Sequence, residues 1–338
     1  MNARKKRVTS YLILEYLPSK ASVIVILLLI GYTFVIHFFY SRSYSPQSED
    51  EIKLYEKLIE ITTSRQTLCS EKATKRGYGQ KVISLSLFGP KENSIFNADR
   101  IYQFLLPFLN EANELFPDWT VRLYIEENLG EFIHIKNLTK TYSNIDLCDV
   151  KNLPIIGDVS TYMPGKIWRF IPTLDPFVDY VSSRDVDSPL TTREQVAVQQ
   201  FLTSGKLFHV IRDHPMHGVP ILGGLWTTAN GKNRVFILKL FKVLLNQEKI
   251  RNYPKTHDQT FLEKLIWPHI SSFALIHDSF TCHKFRRGQL VPFPTQRPSL
   301  DCHVGCVRPC CQNKSISTIK QHCPARCRPV QHQDWIYC

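Results

Sequence analysis

The chain has 338 residues, a net charge of +12 and 10 cysteines, with 43% hydrophobic and 21% charged residues. The length accommodates one sizeable α/β domain beside smaller segments, and no internal repeat or low-complexity tract is present. The basic excess does not indicate a nucleic-acid partner. Part of it lies in the first 20 residues, and part lies toward the C-terminus in Arg286, Arg287, Arg297, Arg308, Lys314, Lys320, Arg326 and Arg328. A solvated loop region is the simpler reading of that tail, and binding of anionic glycans or membrane surfaces is the alternative.

In chain order, the first feature is Ala21–Tyr40, 20 residues without Asp, Glu, Lys or Arg. As a helix it spans roughly 30 Å, one bilayer core. Arg4, Lys5, Lys6, Arg7 and Lys20 precede it, and Glu49, Asp50 and Glu51 follow it. The positive side stays cytoplasmic, so the run predicts a single-pass type II signal anchor over 21–40 with a cytoplasmic tail over 1–20. A cleaved signal peptide is the competing reading, but its apolar core is usually only about 7–15 residues and ends in small residues. Here the run ends in Ile-His-Phe-Phe-Tyr. The body is therefore expected in a secretory lumen, at the Golgi membrane, with the endoplasmic reticulum or plasma membrane as alternatives.

Residues 41–79 are polar, with a helix-compatible patch at Ile52–Ile61, and read as a stem. Val82–Phe88 is a short apolar run suited to a buried strand, stopped by Gly89-Pro90. Ile101, Phe104, Leu105, Phe108, Leu109, Ala112, Leu115 and Phe116 recur at helical spacing, with Pro107 predicting a kink or a restart of that helix. Val121–Glu126 alternates as a strand, and Val178–Ser182 is a further strand. Thr191-Thr-Arg-Glu194 has the spacing of a capping box and opens a helix. Phe208–Ile211 and Val219–Leu222 read as strands, and Arg234–Asn246 and Asp258–Ile266 as helices. Strands alternating with helices imply an α/β domain around a mostly parallel sheet, over about 80–300.

Seven cysteines crowd the last 37 residues, from Cys302 to Cys338. In an oxidising compartment they predict a disulfide-stapled tail over 301–338. A zinc site is the weaker alternative, because the usual Cys-x2-Cys pairing is missing. Asn137-Leu-Thr139 and Asn313-Lys-Ser315 are glycosylation acceptor triplets.

The residues with chemistry to offer follow the strands. Asp185-Val-Asp187 lies just beyond Val178–Ser182, where open α/β sheets collect ligands. Two hard carboxylates there suit Mn²⁺ or Mg²⁺ holding a nucleotide diphosphate, and the ion would offset charge on a departing phosphate. The alternative is a turn in which both Asp cap the next helix. Arg184, beside the pair, can touch phosphate or ribose. Gly223 and Gly224 follow a strand candidate, where backbone must approach something closely, or simply form a tight turn. Asp258 is either a helix N-cap or a carboxylate facing the acceptor hydroxyl. His277 ends an apolar stretch and is either a third metal ligand or a satisfied structural residue. Arg212, Asp213, His214 and His217 concentrate titratable groups past a strand, able to shape an acceptor pocket or supply a base. His214 and His217 lack the helical spacing of a zinc hydrolase, with Pro215 between them.

The order of Asp-x-Asp, double glycine, Asp-Gln helix and later His resembles metal-dependent glycosyltransferases of the GT-A fold, notably the glycogenin and galactosyltransferase-like groups. Several segments look like a glycosyltransferase-like family found in bacteria, viruses and invertebrates. They are Phe116-Pro-Asp-Trp119, Trp168-Arg-Phe170, Ser183-Arg-Asp-Val-Asp-Ser188, Phe208-His-Val-Ile-Arg-Asp-His-Pro215, Ile221-Leu-Gly-Gly-Leu-Trp226, His277-Asp-Ser-Phe280 and Pro292-Phe-Pro-Thr-Gln-Arg297. The family pattern often continues Trp-Gly where this chain has Trp226-Thr-Thr.

The resemblance implies a GT-A-like, Rossmann-like sheet flanked by helices. It also implies a nucleotide-sugar donor, UDP being the expected nucleotide, and a glycan or glycoconjugate acceptor. Asp185, Asp187 and His277 would hold the ion, Arg184, Gly223 and Gly224 would lie against the donor, and Asp258 or Asp213 would be the base of an inverting reaction. Arg212, His214, His217 and Trp226 would line the acceptor side. A non-catalytic lumenal or cell-surface glycan-binding protein on the same fold is the competing class.

Overall fold

The computed structural model describes residues 49–88, 98–126, 132–253, 258–285, 287–312, 319 and 321–338. The expected anchor Ala21–Tyr40 and the triplet Asn313-Lys-Ser315 lie outside these residues. Among the described residues, no helix is long and apolar enough to cross a membrane. The fold class that included a transmembrane helix and the placement as a single-pass type II protein of the Golgi membrane are corrected to that extent: the described residues supply no such helix.

The described fold is a mixed α/β sheet of eight strands. Strands β1 (Gln80–Leu87), β2 (Thr120–Ile125), β3 (Ile145–Asp149) and β4 (Val178–Ser183) are followed by β5 (Phe208–Arg212), β6 (Trp226–Thr228), β7 (Ala274–Asp278) and β8 (Gln289–Val291). Their order across the sheet is β3-β2-β1-β4-β6-β5-β7-β8. Every pairing is parallel except those of β6, which runs antiparallel to both β4 and β5.

Alternation along the strands divides the interior into two cores. Ile83, Leu85 and Leu87 of β1 join Val121, Leu123 and Ile125 of β2 on one face. Leu105, Phe108, Leu109 and Ala112 of helix α3 (Ala98–Leu115) cover that face, so the helical spacing read from the sequence is the spacing that packs. Pro107 sits inside the helix, which continues through it. The core on the other face holds Tyr124, Trp168, Phe170, Phe208, Trp226 and Phe241. Helix α1 (Glu49–Thr63) and helix α2 (Glu71–Lys75) contribute Leu58, Ile61 and Ala73 to it, and Cys69 is bonded to Cys148 of β3. The segment read as a stem therefore packs into the body from Leu54 onward.

Two local readings change. Val219–Leu222 is irregular rather than a strand, since Pro220 has no N–H to give a ladder and its carbonyl instead accepts from Arg212. The strand comes after the double glycine, at Trp226. Helix α5 (Thr192–Thr203) follows helix α4 (Phe132–Thr141) in the chain and has Thr191 as N-cap, its hydroxyl accepting from the Glu194 N–H. The Glu194 carboxylate does not return to the cap. It pairs at 3.1 Å with Arg184.

All ten cysteines are paired, as Cys69–Cys148, Cys282–Cys327, Cys302–Cys311, Cys306–Cys310 and Cys323–Cys338. The cysteine-rich tail is thus stapled as expected, and one of its bridges reaches back to Cys282.

A carboxylate-lined cavity at the ends of the first and fourth strands

Between β1 and β4 the chain changes direction across the sheet. β2 and β3 lie on one side of β1, and β4 lies on the other. At such a switch point the loops after the two strands separate and leave a crevice beyond their carboxyl ends. A cavity of about 410 Å³ opens there. Ser86 and Leu87 from the end of β1 line it, together with Arg184, Asp185 and Asp187 after β4, Gly223, Gly224, Asp258 and Lys166.

The Asp pair sits on a tight turn. The Arg184 N–H donates to the Ser84 carbonyl, the Ser188 N–H donates to the Asp185 carbonyl, and the Arg308 N–H donates to the Asp187 carbonyl at 2.9 Å. Neither Asp caps the following helix, which uses Thr191. The Asp185 side chain is half exposed in the cavity. Arg169 is the residue that organises the carboxylates. It lies on a ten-residue 3₁₀ segment, Gly165–Leu174, and its backbone N–H donates to Ser86 Oγ at 2.9 Å. One terminal nitrogen donates to Asp185 Oδ1 and to the Arg184 carbonyl, and the other donates to Asp258 Oδ2 at 2.5 Å.

The double glycine explains how these groups come so close. A Cβ on Gly223 would overlap the Asp258 carboxylate and the Arg169 guanidinium, and a Cβ on Gly224 would overlap the Asp185 carboxylate. Ser183 Oγ and Trp226 Nε1 donate to the Gly223 carbonyl, and Arg184 donates to that of Gly224. The close approach anticipated for the glycines is therefore to the chain's own carboxylates.

The two aspartates differ electrostatically. Partial desolvation within the cavity works to raise the Asp185 pKa, but the charge and hydrogen bond of Arg169, with Arg184 and Lys166 beyond, leave it below the ordinary value. Asp187 is raised, first by burial and then by repulsion from Asp185.

Several expected site residues lie elsewhere. His277 is fully buried in β7 and does not line the cavity. Its Nε2 meets the accepting Oε1 of Gln200 at 2.8 Å, so that nitrogen carries the proton, and Nδ1 accepts from His209 Nε2 at 2.7 Å. Both ring nitrogens are engaged in the interior, away from the cavity, so the fold does not place His277 with the Asp pair. Burial, with a smaller contribution from Arg193, lowers its pKa to about 3.

Asp213 is buried under Arg193 and Arg297, and Ser279 Oγ and the Val304 N–H also donate to it. Burial opposes ionisation there, yet the two arginines hold its pKa well below the ordinary value. It is a structural ion cluster and not a base. Arg212 pairs with Asp278 at 2.8 Å in the interior, and Trp226 stacks on Phe241 and meets Phe170 edge-on. Both belong to the core instead of an acceptor pocket.

His217 does line the cavity, with Gly305 of the tail beside it. Its Nδ1 accepts from the Asp213 N–H at 3.0 Å, so Nε2 is the protonated nitrogen of the neutral ring. His214 is next to it, its Nδ1 accepting from the Met216 N–H. In those tautomers neither ring presents a lone pair at Nε2, which argues against zinc on this pair. Burial, then His303, brings the His217 pKa down to about 3.

The residues that sequence reasoning missed are Arg169, Lys166 and Gly305. Arg169 had a signal, being a lone charge amid the apolar Ile167-Trp-Arg-Phe-Ile171, since a buried arginine must find a carboxylate. Gly305 had none, because its contact depends on how the tail folds back.

No family model matches the chain, and no curated protein is similar to it. Among solved structures it is similar to a glycosyltransferase involved in the glycosylation of the major capsid of PBCV-1. That likeness has a TM-score of 0.31 and 14% sequence identity, over 59% of this chain and 81% of that one. A similarity of this size assigns no family.

Proposed function

We propose that the chain is a glycosyltransferase that moves a sugar from a nucleotide-sugar donor, a UDP-sugar by expectation, to a hydroxyl of a glycan or glycoconjugate acceptor. The observation that carries this reading is the entry of Asp185 and Asp187 into the cavity at the β1–β4 switch point, with Asp258 in the same cavity. The sequence resemblance described above supports it independently.

The donor set suits a hard divalent ion, Mn²⁺ or Mg²⁺. It offers carboxylate oxygens from Asp185 and Asp187, whose mutual repulsion a cation would relieve. When bound, such an ion supplies positive charge to a departing diphosphate. Arg169 holds the Asp258 carboxylate at the cavity wall through its ion pair, so Asp258 is the base if configuration inverts. Gly223 and Gly224 leave room for this arrangement, and Arg184 fixes their turn from behind.

Calorimetry with UDP, with and without Mn²⁺, tests the reading. Binding should require Mn²⁺ and disappear in the Asp185→Asn/Asp187→Asn double variant. Equal binding by that variant would remove the Asp pair from the site.

A further inference from the structure

Three carboxylates and three cationic side chains line the cavity beside His217, namely Asp185, Asp187 and Asp258 against Lys166, Arg169 and Arg184. Two of the cationic side chains have their charge already matched. Arg169 is shared between Asp185 and Asp258, and Arg184 is paired with Glu194 behind the wall. Lys166 differs, because it makes no hydrogen bond and no ion pair with any described residue. It is half-buried, and its position next to Gly165 holds it near the end of β1. Gly165 lies so close to Phe88 that a Cβ there would overlap the ring.

The cavity therefore contains two kinds of unmatched charge. Among the described residues Asp185 and Asp258 share one cation and Asp187 has no ion pair, while Lys166 has no ion-pair partner and feels Asp185 only at longer range. A free cation would satisfy only the first, and a free anion only the second. A ligand that brings both together, a divalent cation complexed by a diphosphate, satisfies the two at once. We propose that Lys166 is the anchor for the diphosphate of the donor, contacting phosphate oxygens while the aspartates face the cation. This rests on the nucleotide-sugar reading and adds to it a residue and a division of labour.

The test compares wild type, Lys166→Gln and Lys166→Arg by calorimetry, with Mn²⁺ alone, and with UDP, pyrophosphate and uridine in the presence of Mn²⁺. A charge-assisted hydrogen bond is worth about 10- to 100-fold in affinity. Lys166→Gln should lose roughly that factor for UDP and pyrophosphate. Lys166→Arg should recover most of it, and affinity for Mn²⁺ alone and for uridine should stay within about twofold of wild type. Because the side chain is partly solvated and makes no ion pair with any described residue, the thermal midpoint should not move.

If Lys166→Gln binds UDP and pyrophosphate as wild type does, the anchor is refuted and the donor reading stands. If wild type binds pyrophosphate through Lys166 but does not distinguish UDP from it, the anchor stands and the nucleotide reading fails. Wild type that binds neither would overturn both.

Discussion

Arg169 donates to Asp258 at 2.5 Å across 89 positions of sequence, and its other terminal nitrogen reaches Asp185. One guanidinium therefore sets the separation of two carboxylates, one on the turn after β4 and one at the start of the helix Asp258–Phe261. Arg169→Met would leave Asp258 buried without its counter-ion, at a cost of about 3 kcal/mol or more in stability. Arg169→Lys can satisfy only one of the two carboxylates, because an ammonium lacks the planar fork. The expected pattern is a small loss of thermal stability for Lys, a large loss for Met, and weakened Mn²⁺-dependent UDP binding for both.

Gly223→Ala and Gly224→Ala test whether the glycines exist for the carboxylates. Each added methyl meets a packed, charged side chain, and such overpacking costs about 1–3 kcal/mol. Gly224→Ala displaces Asp185 and should weaken Mn²⁺-dependent binding. Gly223→Ala acts on Asp258 and Arg169, so its larger effect should fall on turnover, read as a split between kcat and KM.

Asp213→Asn should unfold the protein more readily without changing the chemistry of the cavity. Removing that charge strands Arg193 and Arg297, and breaking a buried ion cluster of this kind costs about 3–5 kcal/mol. The folded pKa lies below the ordinary 3.8. The stabilisation from Asp213 is therefore complete above that value and lost as pH falls through the acid range. Denaturant titrations below pH 4 should show a steeper loss in wild type than in the variant, by roughly the same few kcal/mol.

Glu194 gives the opposite dependence. Burial, offset in part by Arg184 and assisted by Glu111, raises its pKa from 4.5 to about 7. A carboxyl raised on folding stabilises the protein below its unfolded value and loses that contribution as pH rises through the folded one. Stability should therefore decline between about pH 4.5 and 7 from this group, and Glu194→Gln should flatten that stretch of a thermal-midpoint profile.

The tail bridges should separate stability from binding. Cys302–Cys311 closes a separation of 9 residues, and Cys69–Cys148 one of 79. In the chain-entropy picture the longer closure stabilises more, about 4–5 kcal/mol against roughly 2–3. Yet the short loop carries Gly305 against the cavity and Arg308 onto the Asp187 carbonyl. Serine replacement of the pair Cys302 and Cys311 should weaken Mn²⁺-dependent UDP binding more than replacement of Cys69 and Cys148, while lowering the unfolding midpoint less.

Much of this protein was decided locally and was therefore legible. Ile83, Leu85 and Leu87 alternate because a strand has period two. Leu105, Phe108, Leu109 and Ala112 recur because a helix turns every 3.6 residues. The Thr191 cap and the Asp185–Asp187 turn beyond β4 are equally short-range. What only the tertiary structure decided were pairings across the sheet. His277 carries a ligand-like position in sequence, but His209 on the neighbouring strand and Gln200 on α5 occupy both its nitrogens. Asp213 reads as a candidate base until Arg193 and Arg297 close on it. Arg169, Gly223, Gly224, Gly305 and Lys166 acquire their meaning only where four distant loops meet. The physical reason is range. Backbone periodicity and capping act over a few residues, whereas the charge balance of a cavity is set by groups far apart in the chain.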